Sequence, residues 1–385
     1  MGYRKIRGVT PPGQYFLQGD EACAEGAVAA GCRFFAGYPI TPASEVMEHI
    51  VRRFKDCDGV FVQMEDEIGS IAAMIGASWA GAKPMTSTSG PGLSLMMENI
   101  GYAAMTETPL VIVDIQRAGP STGQATRPGS GDMLQVKYGS HGDYEIIALS
   151  PWSVQEIYDM TIRAFNLAER FRVPVFVLSD EGVGHLRENV TVEQEVTVFE
   201  RDKAPGQPPF HTDEPGGVPP MPCFGDGEKL LVTGSTHDPF GYRKTQVSEV
   251  HERLVSRLVG KIRNRADEIV DTDSYFLDDG PDVLLVAYGI TARAALSAAK
   301  VLRDEGQKVG LLRLRTIWPF PERVVVESAQ KCKEVVVPEL NQGQICREIE
   351  RLLDRDVISL PQTNGETMKP TKIIEFVRER AVTQP

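Results

Sequence analysis

Four short apolar runs in the first half of the chain each end in polar residues that could do chemistry. The run "FFAGYPITPASEV" (34–46) breaks off at Tyr38, Pro39, Ile40, Thr41 and Pro42. A second delivers Glu65, Asp66 and Glu67, and a third ends in "TSTSGPG", which holds Ser89 and Gly90. The fourth ends in "QRAGPSTGQATR", which offers Arg117, Ser121, Thr122 and Arg127. An arginine at a strand end is a natural bidentate clamp for a carboxylate. The glycines of "TSTSGPG" let backbone approach a ligand, and the helix that follows presents its N-terminus to an anion. The acidic trio opens another helix, where a carboxylate gains about 0.3–1 kcal/mol from the helix dipole. That helix, "IGSIAAMIGASWAGA", is apolar enough to be buried on most sides. A carboxyl group in its first turn therefore faces a crevice and needs a hydrogen-bond partner there.

The elements that must position these groups alternate between β-type runs and alanine-rich helical stretches over residues 20–190, which predicts an α/β domain with a mostly parallel sheet and helices on both faces. Strands are expected at "RFFAGY", "GVFVQME", "KPMTSTS", "PLVIVDIQ", "YEIIAL" and "VPVFVLSD". In such an open sheet, ligands bind at the carboxyl ends of the strands, which is where all four polar stretches fall. Residues 201–228 hold twelve Pro or Gly in twenty-eight positions and no hydrophobic period, so they read as a linker. A helix beyond it sets Val247, Val250, Leu254, Leu258, Ile262 and Ile269 on one face and should pack on a neighbouring domain. A second, smaller α/β unit alternates strands and helices from about residue 281 to the end. The expected division is 1–195, a linker and packing helix over 196–275, and 276–385.

Several function classes are disfavoured. A net charge of -12 with scattered Lys and Arg does not suit nucleic acid or an anionic membrane surface. No apolar run reaches the ~20 residues of a membrane span, and the N-terminus lacks the apolar core of a signal peptide, so a cytoplasmic location is expected. The six cysteines form no Cys-x-x-Cys pair and read as reduced thiols, which leaves no ligand set for a zinc ribbon or an iron–sulfur cluster within this chain. Ser89 is followed directly by Gly90, so "TSTSGPG" lacks the Gly-x-Ser-x-Gly order of a hydrolase elbow. Gly-Asp-Gly at 225–227 lacks the strand and helix of a magnesium–diphosphate motif and reads as a linker turn. His141 is expected in a surface turn, and His237 has no assigned role.

Together, "GYPITPASE", "EDEIGSIAAMIGASWAGAKPMTSTSGPGLSLMMENIGYAAMTETP" and "RAGPSTGQATR" resemble the alpha subunit of the 2-oxoacid:ferredoxin oxidoreductases, most closely the 2-oxoglutarate type. The resemblance continues through "HGDYEIIALSPWSVQEIYDMTIRAFNLAERFRVPVFVLSDE" into a transketolase C-terminal-like unit. It implies a pyrimidine-binding domain for thiamine diphosphate, in which Glu67 of the Glu-x-Gly step contacts the aminopyrimidine; Glu65 is the alternative. Thr41 and Arg117 would hold the 2-oxoacid carboxylate, with Ser121 and Thr122 beside them, and Tyr38, Pro39, Ile40, Ser89 and Gly90 would line the cofactor. The resemblance also implies a beta subunit carrying the diphosphate, Mg2+ and a 4Fe-4S cluster, in an assembly of two alpha and two beta chains. Ferredoxin would take the electrons and coenzyme A the acyl group, and a gamma or delta component would be a separate chain. Another 2-oxoacid (branched-chain, pyruvate or aryl glyoxylate) and a non-catalytic α/β scaffold subunit are the alternatives.

Overall fold

The computed structural model describes residues 2–330 and 332–383. Its main sheet runs in the order Val60–Gln63, Phe34–Gly37, Pro84–Thr88, Leu110–Ala118, Pro174–Asp180, Ile147–Leu149, Thr316–Trp318. Every pairing along this path is parallel except the last, where Thr316–Trp318 lies antiparallel to Ile147–Leu149. The most apolar run takes the centre: along Leu110–Ala118 every residue but the last is buried. Its side chains alternate, with Val111, Val113 and Ile115 entering one core and Leu110 and Ile112 the other. Helices Gly19–Ala29, Ser44–Phe54 and Val154–Phe171 cover the first face; Glu67–Trp79 and Gly90–Met105 cover the second. Two helix starts are capped by side chains: Asp66 accepts the N–H of Gly69 at 2.7 Å, and Ser153 that of Glu156 at 3.3 Å.

The ends of the domain are more strand-rich than the alternating pattern indicates. Gly2–Arg7 pairs with Glu195–Glu200, and Gly13–Gln18 with Arg187–Val192, both antiparallel. These short pairs join segments far apart in sequence, so no hairpin turn announces them.

The Pro/Gly-rich stretch has no regular structure, yet it buries Phe210, Met221 and Cys223. Its carbonyls are held by Arg172, whose Nη1 donates to Pro209 at 2.5 Å and Pro220 at 2.8 Å. The packing helix spans Ser248–Arg263, with a separate turn at Ala266–Ile269. Leu254, Leu258, Ile262 and Ile269 are buried as anticipated. Val247 instead precedes the helix as its N-cap and is 40% exposed. The helix is anchored by charge as well: Arg257 and Lys261 both donate to Glu107. Burial alone would raise the Glu107 carboxyl, but these two cations hold it well below the usual range.

The second sheet runs Thr272–Tyr275, Val309–Leu314, Val283–Ala287, Glu334–Glu339, Ile358–Pro361, all parallel except the first pairing. Directly after Val309–Leu314, the chain crosses to the first sheet as Thr316–Trp318. Among the described residues, no helix is long and apolar enough to cross a membrane.

Candidate functional site

The strand Phe34–Gly37 ends at the turn carrying Thr41 and Pro42, whose peptide bond is cis. Three side chains from other parts of the sheet's carboxyl edge hold three successive carbonyls of this turn. Arg117 Nη1 donates to Thr41 O at 2.8 Å, His185 Nε2 lies 3.2 Å from Pro42 O, and Ser87 Oγ donates to Ala43 O at 3.1 Å. The turn is therefore clamped, while its outer surface stays open: Tyr38, Pro39 and Thr41 are exposed and Ile40 is partly buried. Arg117 is 8% exposed, and its Nε has no hydrogen-bond partner. Thr41 and Arg117 thus meet, through the threonine carbonyl rather than its hydroxyl.

The two acidic candidates part company. Glu65 is exposed; Glu67 is 4% exposed in the first turn of its helix. Burial raises the Glu67 carboxyl above its ordinary value, and Asp66 adds to the shift. Glu67 faces the helix that starts at Gly90. A Cβ built on Gly92 would lie 2.2 Å from Glu67 Oε1 and 2.3 Å from Thr88 Oγ1, so glycine is what lets all three approach. Thr88 Oγ1 and Ser89 Oγ are buried without partners beside it. Gly90, at φ +20°, opens this helix.

A carboxyl pair that sequence reasoning passed over lies under the same helix start. Asp114 is fully buried, and both its oxygens lack a donor; Asp132 is its neighbour, with Oδ2 3.7 Å from a Cβ on Gly90. Burial drives both groups up: Asp114 goes well above the carboxylate range, with the neighbouring Asp132 adding to it, and Asp132 to about 6, held back by Asp114 and Arg117. The signal was available: Asp114 is a charged residue inside the otherwise apolar run "PLVIVDIQ".

The remaining candidates lie apart. Ser121 and Thr122 are exposed at the tip that returns into Gln124–Pro128, and among the described residues their side chains make no hydrogen bond. Arg127 is exposed on that return strand, and His141 is exposed in its loop. His237 is 2% exposed, bonded through Nδ1 to Ser235 O at 2.9 Å and 4.5 Å from the Phe210 ring. It lines a cavity of about 610 Å³ that shares no residue with the strand-end cluster. All six cysteines are free. The arrangement as a whole places a protonatable carboxyl, unpaired hydroxyls and an arginine donor on one open edge.

These features fit a thiamine diphosphate half-site: a buried carboxyl for a ring nitrogen, a glycine-lined approach, and hydroxyls that lack partners of their own. Residues 25–257 match the family described as pyruvate flavodoxin/ferredoxin oxidoreductase, thiamine diphosphate-binding, and residues 281–373 match pyruvate:ferredoxin oxidoreductase core domain II. The chain belongs to this 2-oxoacid:ferredoxin oxidoreductase family and carries its thiamine diphosphate-binding domain. It is 52% identical to the 2-oxoglutarate synthase subunit KorA of Methanothermobacter marburgensis, over 94% of this chain and 98% of that protein. It is 36% identical to the ketoisovalerate oxidoreductase subunit VorB of Methanothermobacter thermautotrophicus, over 95% and 97% of the two chains. Among solved structures, the 2-oxoglutarate:ferredoxin oxidoreductase from Magnetococcus marinus, with 2-oxoglutarate, coenzyme A and succinyl-CoA bound, superposes with a TM-score of 0.91 at 32% identity. That match covers 96% of this chain and 65% of the Magnetococcus chain. A split-gene transketolase shares the fold alone, at a TM-score of 0.57 and 15% identity.

Proposed function

We propose that this chain is the alpha subunit of a 2-oxoglutarate:ferredoxin oxidoreductase and builds the pyrimidine side of a thiamine diphosphate site that a beta subunit completes. The observation that carries the reading is the gathering of buried Glu67, unpaired Thr88 and Ser89, and Arg117 with its unpaired Nε at one sheet edge. Full-length identity to a KorA subunit gives it direction. When bound, thiamine diphosphate supplies the carbon nucleophile and electron sink needed for loss of carbon dioxide from a 2-oxoacid.

The chain's own residues then take distinct roles. Glu67, raised by burial, holds a proton at its carboxyl oxygen toward an aminopyrimidine ring nitrogen, and the low local dielectric strengthens that bond. Thr88, Ser89 and the Gly90–Gly92 backbone form the wall against which the ring is seated. Arg117 keeps one donor on the Thr41 carbonyl and brings its guanidinium charge to the substrate carboxylate, and the exposed Thr41 hydroxyl completes the clamp. Ser121 and Thr122 join from the exposed hairpin tip, and Tyr38, Pro39 and Ile40 line the entrance. The beta subunit contributes the diphosphate and Mg2+ ligands and the 4Fe-4S cluster. The acyl group passes to coenzyme A and the electrons to ferredoxin, in an α2β2 assembly to which gamma or delta chains are added separately.

The test is co-purification with the beta partner, followed by viologen reduction with a panel of 2-oxoacids and coenzyme A. Turnover should be greatest with 2-oxoglutarate. Preference for a branched-chain 2-oxoacid would move the substrate, and inactivity on the whole panel would overturn the assignment.

A further inference from the structure

Near the clamped turn, where His185 meets Pro42 O, three parts of the chain bring ligand-type side chains together. Asp20 comes from the second position of helix Gly19–Ala29, Glu45 from the first turn of helix Ser44–Phe54, and His185 from the end of the turn Glu181–Gly184. One ligand atom from each lies within 4.8 Å of the other two. We infer that Asp20, Glu45 and His185 form a binding site for a divalent transition-metal cation, a role independent of the thiamine chemistry.

The decisive residue is Asp20. It is 0% exposed, and neither carboxylate oxygen has a hydrogen-bond partner. A buried carboxylate left this way costs several kcal/mol unless a cation or a proton answers it. The carboxylate is packed closely: a Cβ on Gly184 would lie 2.8 Å from Asp20 Oδ1, so glycine there is what admits it. The imidazole of His185 does not reach it with a hydrogen bond, being spent on Pro42 O at 3.2 Å through Nε2, with Glu45 at 3.7 Å and Glu181 at 3.4 Å.

The donor set suits a metal better than a second imidazole bond. Glu181 stands 3.4 Å from Nδ1 and fixes the ring, and Nε2, 3.7 Å from Glu45, would exchange its Pro42 contact and its proton for the ion. A carboxylate behind a histidine is the usual orienting arrangement at a metal. Two carboxylates and one imidazole match the mixed oxygen and nitrogen preference of zinc or manganese. With bonds near 2.0 Å, tetrahedral ligands sit about 3.3 Å apart, so the observed cluster needs only a modest contraction. Glu45, partly exposed, provides the way in from solvent. A bound ion would tie the start of helix Ser44–Phe54 to helix Gly19–Ala29.

The full chain, stripped with a chelator and desalted, is titrated with Zn2+ in a calorimeter. One equivalent should bind; Asp20→Asn and His185→Gln should each weaken it at least 100-fold, and Glu181→Gln, which only orients the ring, roughly 10- to 100-fold. Far-ultraviolet circular dichroism checks that the variants fold, and if the buried Asp20→Asn does not, the half-buried His185→Gln decides. Absence of a stoichiometric site overturns the proposal, as does affinity unchanged in His185→Gln, since the zinc then resides elsewhere.

Discussion

The two parallel sheets present the same kind of edge and treat it in opposite ways. At the carboxyl edge of the second sheet, Tyr288 donates to Glu339 at 2.7 Å, and Asn341 donates to Tyr288 at 2.9 Å and to Ser130 O at 2.7 Å. Glu339 also accepts the N–H groups of Ile345 at 2.9 Å and Cys346 at 3.0 Å. Every oxygen there is spent inside the protein. At the corresponding edge of the first sheet, Thr88, Ser89, Asp114 and the Nε of Arg117 are buried with donors and acceptors unused. A closed polar network fixes one packing, whereas an open one is tolerated only where something else will meet it. Two edges of similar composition therefore differ in function because one has finished its hydrogen bonding and the other has not.

The sharpest way to break this comparison is Glu67→Gln. In the complex with its beta partner it should lower 2-oxoacid-dependent dye reduction by about 10²- to 10⁴-fold, the usual range for an acid–base group, while size-exclusion chromatography shows assembly unchanged. Glu65→Gln, at an exposed position, should leave the rate close to the parent. Arg117→Ala comes next: loss of a charged hydrogen bond worth about 1.5–3 kcal/mol predicts a drop in kcat/KM of roughly 10- to 150-fold, read from steady-state kinetics. On the closed edge the effect should move from activity to stability. Tyr288→Phe leaves Glu339 and Asn341 short of a partner and should cost about 1–3 kcal/mol in denaturant unfolding, with specific activity of the folded complex retained.

The smallest effect depends on pH. Burial raises Asp114 and Asp132, the latter to about 6, so the folded chain takes up a proton that the unfolded chain binds only near pH 4. The contribution of Asp132 is full below the unfolded value and is lost as pH rises through about 6, while that of Asp114, raised further, persists to higher pH. Asp114→Asn removes the conflict and should stabilise the chain by on the order of 1–2 kcal/mol at pH 8, with the gain vanishing near pH 4 in thermal melts.

Much of this contrast was written in the chain. Six of the seven strands along the first sheet were marked by apolar runs, and the polar residues at their ends were marked by where those runs stop. Glu67 was preferred over Glu65 through the Glu-x-Gly resemblance, but their difference in burial was not legible, because acidic positions two apart share composition. Gly2–Arg7 and Gly13–Gln18 were not legible, since their partners lie near the other end of the domain, and the first has its period broken by charge. The clamp on residues 41–43 and the meeting of Asp20, Glu45 and His185 were equally hidden, because neither follows any spacing along the chain.

The strand Thr316–Trp318 makes the two units one object for folding and for handling. Cut after residue 270, the first unit would keep most of its core but lose the cover on Ile147–Leu149, and a bare apolar strand invites pairing with other molecules. A fragment carrying the whole cofactor edge would thus be prone to precipitate. For the same reason an insertion or fusion is better placed in the exposed turns of the Pro/Gly-rich stretch, around Gly225–Gly227, than at the apparent boundary between the sheets.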